Sequence, residues 1–198
     1  GGGYNIYHNS VNQTVNQTSG VSSAIYFGSG LGTGSVDVRN NIFSNRQTAG
    51  GTRYAIYSDA PNTVFTNINY NDYYCAAASS LGYIGSTVRT NLADIQAGFG
   101  GNANSTDFQP LFVSSSDLHL TNPNNAPLND LGTPIAGVTV DIDNDTRSGT
   151  TPDIGADEFT PPPCDASDAG TLNNTSFTIC EGLTASISST GASVGLGV

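Results

Sequence analysis

The segment VRNNIFSNRQT, from Val38 to Thr48, has two weakly similar counterparts elsewhere in the chain. They are IYHNSVNQT, from Ile6 to Thr14, and VFTNINYNDYY, from Val64 to Tyr74. Each begins with an apolar residue, carries asparagine at the third or fourth position and then returns to residues that favour β-strands. Aligning Ile6 with Val38 and Val64 gives separations of 32 and 26 residues. A period of this size predicts a repeat architecture in which successive passes of the chain stack on one another.

Short apolar runs divide each interval further. They are AIYFG, from Ala24 to Gly28, and YAIYS, from Tyr54 to Ser58, and Gly, Ser and Asn lie at the bends around them. Short strands of this kind cannot bury their inward faces alone, whereas stacked passes build one continuous core. The sequence therefore predicts an all-β fold, a parallel β-helix, whose asparagines stack at equivalent bends as a hydrogen-bonded ladder.

The second half of the chain breaks this pattern. One helix is predicted in TNLADIQAGFG, Thr90 to Gly100, with Asn91 as its cap and Gly98 as its stop. From Ser105 onward prolines interrupt the chain, and we expect an irregular cap over the last pass. The predicted domains are therefore 1–159 (stacked passes and cap), 160–163 (a proline-rich linker) and 164–198 (an incomplete Ig-like β segment).

The charge of the chain excludes several classes of partner. Its net charge is −11, and its five basic residues are all arginines, so there is no basic stripe for nucleic acid or for an anionic membrane surface. No apolar run approaches the length of a membrane span, so direct membrane insertion is not expected. The opening GGGYNIYHNSV already reads as repeat sequence, and we expect the chain to be a piece of a longer exported protein.

Several segments together resemble a known superfamily. They are VRNNIFSN (38–45), NYNDYY (69–74), DFQPLF (107–112), DLHLTNPNNAPLNDLG (117–132) and DIDNDTRSGTTPDIGADEF (141–159). They are similar to the C-terminal part of right-handed parallel β-helix proteins of the pectate-lyase-like superfamily, found in secreted multidomain proteins of the Bacteroidetes type. The tail TICEGLTASIS (178–188) resembles the Ig-like repeats of bacterial surface adhesins. The resemblance implies a secreted, cell-surface location.

Three functions follow from this resemblance as hypotheses. The first is a non-enzymatic surface or adhesin module, structural or binding, with polysaccharide or cell-surface glycan as its partner. The second is a fragment of a polysaccharide-degrading enzyme, a lyase or hydrolase, whose active passes lie upstream; some members of the superfamily cleave acidic polysaccharides with carboxylate-held Ca²⁺ and an Arg or Lys base. The third is a type IX secretion cargo bound to export or surface-anchoring proteins. No catalytic residue is predicted.

The acidic motif near position 150 allows two interpretations. Asp141, Asp143 and Asp145 alternate, so on an extended segment their carboxylates would face one side and repel one another. An EF-hand is excluded, because Thr146 and Pro152 occupy the positions that need Gly and Glu.

In the first interpretation the motif is a cap. Arg147 neutralises part of the charge, and Ile142, Ile154 and Phe159 fill apolar sites. In the second interpretation the motif binds Ca²⁺ through some of the aspartates. The predicted ligands are Asp141, Asp143, Asp145 and Asp153. The two interpretations are compatible.

Aromatic and sulfur side chains supply the remaining candidates. Tyr70, Tyr73 and Tyr74 are the candidates for a glycan-stacking platform, and the favoured alternative is that they pack in the coil or against the irregular segment. Cys164 and Cys180 are predicted to form a disulfide, and Cys75 is predicted to be buried. The two histidines, His8 and His119, have no Cys or His nearby at metal-ligand spacing and are interpreted as surface or ladder residues.

Overall fold

The computed structural model describes residues 3–76, 80–121 and 123–161, together with the backbone of two short strands further along the chain. The chain divides into two compact units, Gly1–Pro161 and Pro162–Val198. In the second unit the described strands, Thr171–Leu172 and Ser189–Thr190, pair antiparallel. The predicted disulfide between Cys164 and Cys180, and most of the predicted Ig-like segment, lie outside the described residues.

The first unit is built mainly from short strands. Its one described α-helix is α1 (Leu92–Phe99), and 3₁₀ helices span Asn62–Val64 and Pro123–Leu128. The strands are β1 (Tyr4–Tyr7), β2 (Ser10–Gln13), β3 (Val21–Phe27), β4 (Val36–Arg39), β5 (Ile42–Asn45), β6 (Thr52–Ser58), β7 (Phe65–Asn69), β8 (Asp72–Cys75), β9 (Gly82–Ile84) and β10 (Thr87–Arg89).

Nine of these strands form three parallel sheets, which the chain visits in rotation. The first sheet contains β1, β4 and β7, the second β2, β5 and β8, and the third β3, β6 and β9. Strand β10 adds to β9 in antiparallel orientation. Apart from β9 and β10, consecutive strands therefore lie in different sheets, and the parallel strands that pair are one full pass apart. The all-β prediction is confirmed at this level.

The register of the first sheet tests the predicted repeat. Ile6 pairs with Val38, as the alignment predicted, but Val38 then pairs with Ile68 rather than aligning with Val64. The prediction for the third pass is wrong because Val64 belongs to a 3₁₀ turn that precedes β7. A register shift between Val36 and Asp37 also interrupts the regular pairing there.

A left-handed residue turns each pass from the first sheet into the second. His8, Asn40 and Tyr70 have φ angles of 51°, 60° and 56°. This region of backbone space is uncommon for residues other than glycine, and asparagine tolerates it better than most. The corner is thus a repeated conformational feature, present in all three passes.

The residue after each corner builds the predicted asparagine ladder. The side-chain oxygen of Asn41 accepts the side-chain amide of Asn9 at 2.9 Å, and that of Asn71 accepts the amide of Asn41 at 2.9 Å. The backbone N–H of Asn71 donates to the Ser105 hydroxyl at 3.0 Å, which extends the row by one step. The ladder prediction is confirmed.

The main core lies between the sheets. Adjacent strand residues point to opposite faces, so Phe43 contributes to the inner core while Ile42 faces outward. Inner residues such as Val38, Ile56 and Ile68 are almost completely buried.

Helix α1 covers the core beside the last strands. Its Ile95 and Phe99 are buried in the inner core, and Phe99 packs 5.7 Å from the ring of Phe65 on β7. Asn91 caps the helix as predicted, by accepting the N–H of Asp94. The helix ends at Gly100, with a φ of 72°, rather than at the predicted Gly98.

The irregular segment after Ser105 lies along the outer face of the second sheet. Its Leu120, Leu128 and Ile154 pack on Ile42 in a second hydrophobic cluster. The N–H of Ala156 donates to Ser10 on β2, and the N–H of Gly155 donates to the carbonyl of Asn40. Thr106, near the start of the segment, pairs with Asp72 on β8 and so extends over the last pass as predicted, whereas the later part of the segment covers the side of the sheet, where apolar Ile42 needs cover. No helix within the described ranges is long and apolar enough to cross a membrane.

Candidate functional site

The three tyrosines predicted to bind glycan do not share one surface. Tyr70 occupies a left-handed corner. Tyr73 is fully buried, stacks on Phe43 at 6.0 Å and donates its hydroxyl to Asn102 at 2.8 Å. Tyr74 is half-buried, with the guanidinium of Arg46 5.7 Å from its ring centre. Since strand neighbours point to opposite faces, Tyr73 and Tyr74 cannot form a common platform.

A different set of tyrosines is aligned across the third sheet. Tyr26, Tyr57 and Tyr83 occupy equivalent positions on β3, β6 and β9. The rings of Tyr57 and Tyr83 stack at 4.6 Å with an interplanar angle of 8°, and the rings of Tyr26 and Tyr57 lie 5.7 Å apart. We call this row the tyrosine ladder.

A cleft of about 450 Å³ lies at the Tyr26 end of the tyrosine ladder. Tyr26 is 57% exposed and lies on β3, the outer strand of its sheet within the described residues. The lining is mostly polar and its one charged residue is Asp59. The lining residues are Gln13, Gln17, Val21, Ser22, Ser23, Tyr26, Tyr57 and Asp59.

Asp59 holds the Tyr26 ring in place. The Tyr26 hydroxyl donates to the Asp59 carboxylate at 2.6 Å, and this hydrogen bond raises the pKa of the tyrosine. The ring is thus held in place by a hydrogen bond to a carboxylate. The cleft combines one open aromatic face with amide, hydroxyl and carboxylate groups, which suits a molecule with apolar C–H faces and many hydroxyls.

A sequence signal for this ladder exists. The stretches AIYF (24–27) and AIYS (55–58) are nearly identical, and they align without a gap in the paired strands β3 and β6. Taken singly, each run predicts only a strand. Their shared tyrosine could have predicted an aromatic row across neighbouring passes, because equivalent positions of stacked strands lie side by side.

The outer face of the first sheet carries an ion pair. Arg39 donates two hydrogen bonds to Asp37, each at 2.8 Å, and the hydroxyl of Tyr7 donates to the same carboxylate at 2.7 Å. The hydrogen bond to Asp37 raises the pKa of Arg39 further. This guanidinium is therefore held in its charged form.

The acidic motif forms a turn rather than an extended strand. The N–H of Asp141 donates to the carbonyl of Asp145, and Asn144 has a φ of 69°. The Asp141 carboxylate accepts the N–H groups of Asp143, Asp145 and Glu158. It acts as an internal acceptor that shapes the turn, and the predicted one-sided row of three carboxylates does not form.

The roles that the cap interpretation gives to Arg147 and to the apolar residues of the motif are only partly observed. Arg147 is buried, donates to the carbonyls of Gly155 and Ala156, and lies 3.2 Å from Glu158. Its hydrogen-bonded counterion is Glu158, and its charge also acts on Asp141 of the aspartate row. Ile154 is buried and Phe159 packs on the same cluster, as expected, but Ile142 is 64% exposed and does not fill an apolar site.

Asp153, the fourth predicted calcium ligand, is buried elsewhere. Its two oxygens accept the N–H groups of Asp130 at 2.6 Å and Phe159 at 2.7 Å. Burial raises the pKa of Asp153 to about 7. Because Asp141 and Asp153 both satisfy backbone donors, the four predicted ligands do not converge in the structure, and calcium binding stays a prediction.

His119, interpreted from sequence as a surface or ladder residue, lies among three carboxylates. His119 Nδ1 lies 2.5 Å from Asp117, and its Nε2 lies 2.7 Å from Asp143. Asp157 is close by: one ligand atom each from His119, Asp143 and Asp157 lie within 4.8 Å of one another. Hydrogen bonds to the carboxylates of Asp117 and Asp143 raise the pKa of His119 to about 9.

Comparisons with protein-family models, with curated proteins and with solved structures find no match for this chain.

Proposed function

We propose that the three parallel sheets are the faces of a right-handed parallel β-helix. Four observations support this: the rotation of the chain among the sheets, the matched register, the left-handed corner shared by three passes and the asparagine ladder. In such a solenoid every pass contacts mainly its neighbours, which makes a rigid, extendable scaffold.

We further propose that this scaffold is a non-enzymatic glycan-binding module of a secreted, cell-surface protein of the adhesin type. The observation that carries the proposal is the Tyr26 ring, whose open face lines a polar cleft and whose hydroxyl is held by Asp59. One sugar residue stacks its C–H face on Tyr26, and its hydroxyl groups bond to Asp59 and to the amides of Gln13 and Gln17.

The ladder behind Tyr26 gives this site its rigidity. The Tyr57 and Tyr83 rings cover one another, so they support Tyr26 from behind and leave its outer face for the ligand. A ring that is already ordered loses little conformational entropy when it binds, which favours affinity.

The ion pair on the first sheet bears on one candidate base. A polysaccharide lyase needs a neutral base beside the sugar, but two hydrogen bonds to Asp37 favour the charged form of Arg39. Arg39 is therefore unsuited to that role, and the polysaccharide-degrading alternative, whose active passes lie upstream, does not depend on it.

A binding assay with matched tyrosine variants tests the proposal. The full chain is screened against neutral, cationic and uronic oligosaccharides, and the affinity for any that bind is measured by calorimetry. Tyr26→Ala is expected to weaken binding at least tenfold, because it removes the stacking surface. Tyr4→Ala is the control, since Tyr4 is 56% exposed on β1 but lies outside the cleft.

The outcomes are distinct. Binding that survives Tyr26→Ala would move the site elsewhere, and a wild-type chain that binds no oligosaccharide would remove the glycan proposal. Release of cleaved product from any of these oligosaccharides would instead support the enzymatic alternative.

A further inference from the structure

We propose that His119, Asp143 and Asp157 form a binding site for a first-row divalent transition-metal cation, with Zn²⁺ as the reference ion. The site is separate from the tyrosine cleft and does not depend on glycan binding. It shares Asp143 with the predicted calcium site but none of the other three predicted calcium ligands, and it includes an imidazole ligand.

The proposed ligands come from three separate parts of the closing segment. His119 follows a turn in which the N–H of Ser114 bonds to the carbonyl of Asp117, Asp143 lies in the turn from Asp141 to Asp145, and Asp157 follows the buried Ile154. Their ligand atoms already lie within 4.8 Å of one another. Zinc binds nitrogen and oxygen at about 2.0–2.2 Å, so the three groups need only a small closure to share one ion.

Asp117 orients the imidazole for this role. It lies 2.5 Å from Nδ1, which leaves Nε2 directed at Asp143. Metal-binding histidines usually have a carboxylate on one ring nitrogen and the metal on the other, because the carboxylate holds the tautomer and raises the basicity of the ligand nitrogen.

Asp157 supplies an independent observation. It is only 7% exposed, and one of its oxygens accepts the N–H of Leu120 at 2.7 Å. Within the described residues its other oxygen makes no hydrogen bond. The residue as a whole is buried, and a cation beside His119 would coordinate this free oxygen.

The local charge also favours a cation. Asp117, Asp143 and Asp157 surround one imidazole, so even a protonated His119 leaves negative charge in excess. Arg147 does not compensate for it, because its guanidinium pairs with Glu158. A divalent cation would neutralise the remaining charge without adding bulk.

The donor set selects the class of ion. Imidazole nitrogen with two carboxylates suits zinc and its first-row neighbours, whereas calcium prefers six to eight oxygen ligands. On binding, the metal takes the place of the proton between Nε2 and Asp143, and that proton is released to solvent. Affinity should therefore increase with pH.

Calorimetry with ZnCl₂ on the chelator-treated full chain tests the site. Wild type is expected to bind one Zn²⁺ ion with proton release, seen as a heat that depends on the buffer's ionisation enthalpy. His119→Gln and Asp143→Asn should each weaken binding at least tenfold. Asp145→Asn is the matched control, an exposed aspartate of the same turn that lies outside the cluster.

Two further measurements keep the test independent of folding. Asp143 is exposed, so its variant should keep the wild-type circular dichroism spectrum. Co²⁺ should give visible d–d absorption bands with wild type that change in His119→Gln. Saturable Ca²⁺ binding without Zn²⁺ binding, unchanged zinc affinity in His119→Gln, or no saturable binding to wild type would each overturn the proposal.

Discussion

The side-chain oxygen of Asn71 accepts two hydrogen bonds from Asn41, one from its backbone N–H at 3.0 Å and one from its side-chain amide at 2.9 Å. Asn41 in turn accepts the corresponding pair from Asn9. Both Asn41 and Asn71 are completely buried, so these bonds replace water for the backbone at the corner.

Replacing the central ladder residue should therefore lower the stability of the folded chain. Asn41→Ala removes the acceptor for Asn9 and the donors to the carbonyls of Ile6 and Arg39. We expect a loss of about 3 kcal/mol in the free energy of unfolding, because several buried polar groups lose their partners. Urea denaturation measures this loss in the free energy of unfolding. Asn67→Ala is the control, since Asn67 is half-buried on β7 and has no side-chain hydrogen bond within the described residues, and an equal loss there would contradict the ladder's role.

The two isoleucines of the acidic motif should differ in their contribution to stability. Ile154 is 1% exposed and packs on Ile42, whereas Ile142 is 64% exposed. Ile154→Ala should lower the free energy of unfolding by about 2–5 kcal/mol through the cavity it leaves, and Ile142→Ala should change it by less than about 0.5 kcal/mol. Chemical denaturation of both variants compares them directly. Similar losses would mean that the closing segment does not pack on the second sheet in this way.

Asp72 should make stability depend on pH. It pairs with Ile42 in the second sheet and is completely buried, with neither oxygen in hydrogen-bond geometry with a donor. Burial raises its pKa well above the usual value, the charge of Asp107 adds to the effect, and the nearby N–H groups of Phe108 and Tyr73 offset only part of it. The folded state therefore binds the proton more tightly than the unfolded state does.

The sign of this dependence follows from linkage. The folded chain holds more protons above the unfolded pKa of about 4, so stability should fall as the pH rises from there through the raised pKa of Asp72. Asp72→Asn should reduce that slope in denaturation curves recorded from pH 4 to pH 9, and the raised pKa values of Asp153 and His119 should account for the slope that remains. Asp145→Asn, at an exposed position, should leave the slope unchanged. A wild-type slope that survives in Asp72→Asn would assign the effect to another group.

The two histidines should titrate at widely separated pH values. Burial lowers the pKa of His8 to about 4, whereas hydrogen bonds to Asp117 and Asp143 raise that of His119 to about 9. The chain has only these two histidines, so NMR titration of the imidazole resonances in metal-free protein should show two well-separated transitions. His119→Gln should remove the upper one. Two transitions near pH 6.5 would contradict both environments.

These shifts have opposite effects on stability. His119 stabilises the folded chain at acid pH, and that contribution should be lost as the pH rises through about 9. His8 acts in the other direction, because the unfolded chain binds its proton more readily, so its effect should favour folding as the pH rises from about 4 to 6.5.

The pattern of strands and corners was accessible from sequence because it is local. Ile6 and Val38 align by inspection, and the asparagine after each corner predicts a ladder, since its amide can serve its own backbone and its neighbour's. Asn91 and the residues after it predict α1 for the same reason, because a helix cap acts within one turn. The prediction failed at Val64, where a 3₁₀ turn and a bulge change the spacing without any change in composition.

The candidate sites were less accessible because they depend on which face a side chain occupies. Tyr73 and Tyr74 are neighbours in sequence but lie on opposite faces of β8, whereas Tyr26 and Tyr57 are one full pass apart and lie side by side. A register difference of one residue exchanges the two faces of a strand. The aromatic content was therefore visible in sequence, but its exposed members were not.

The amino-acid sequence by itself determined the β-rich class, the approximate repeat, the asparagine ladder and the acidic character of the closing motif, because each arises from short-range propensity, periodicity or charge. Only the tertiary structure decided that this motif lies along the second sheet and that His119 joins Asp143 and Asp157. Those residues are 24 and 38 positions from His119 in the chain. Their proximity depends on how Leu120, Leu128 and Ile154 cover Ile42, and the burial of that shared apolar surface sets the arrangement.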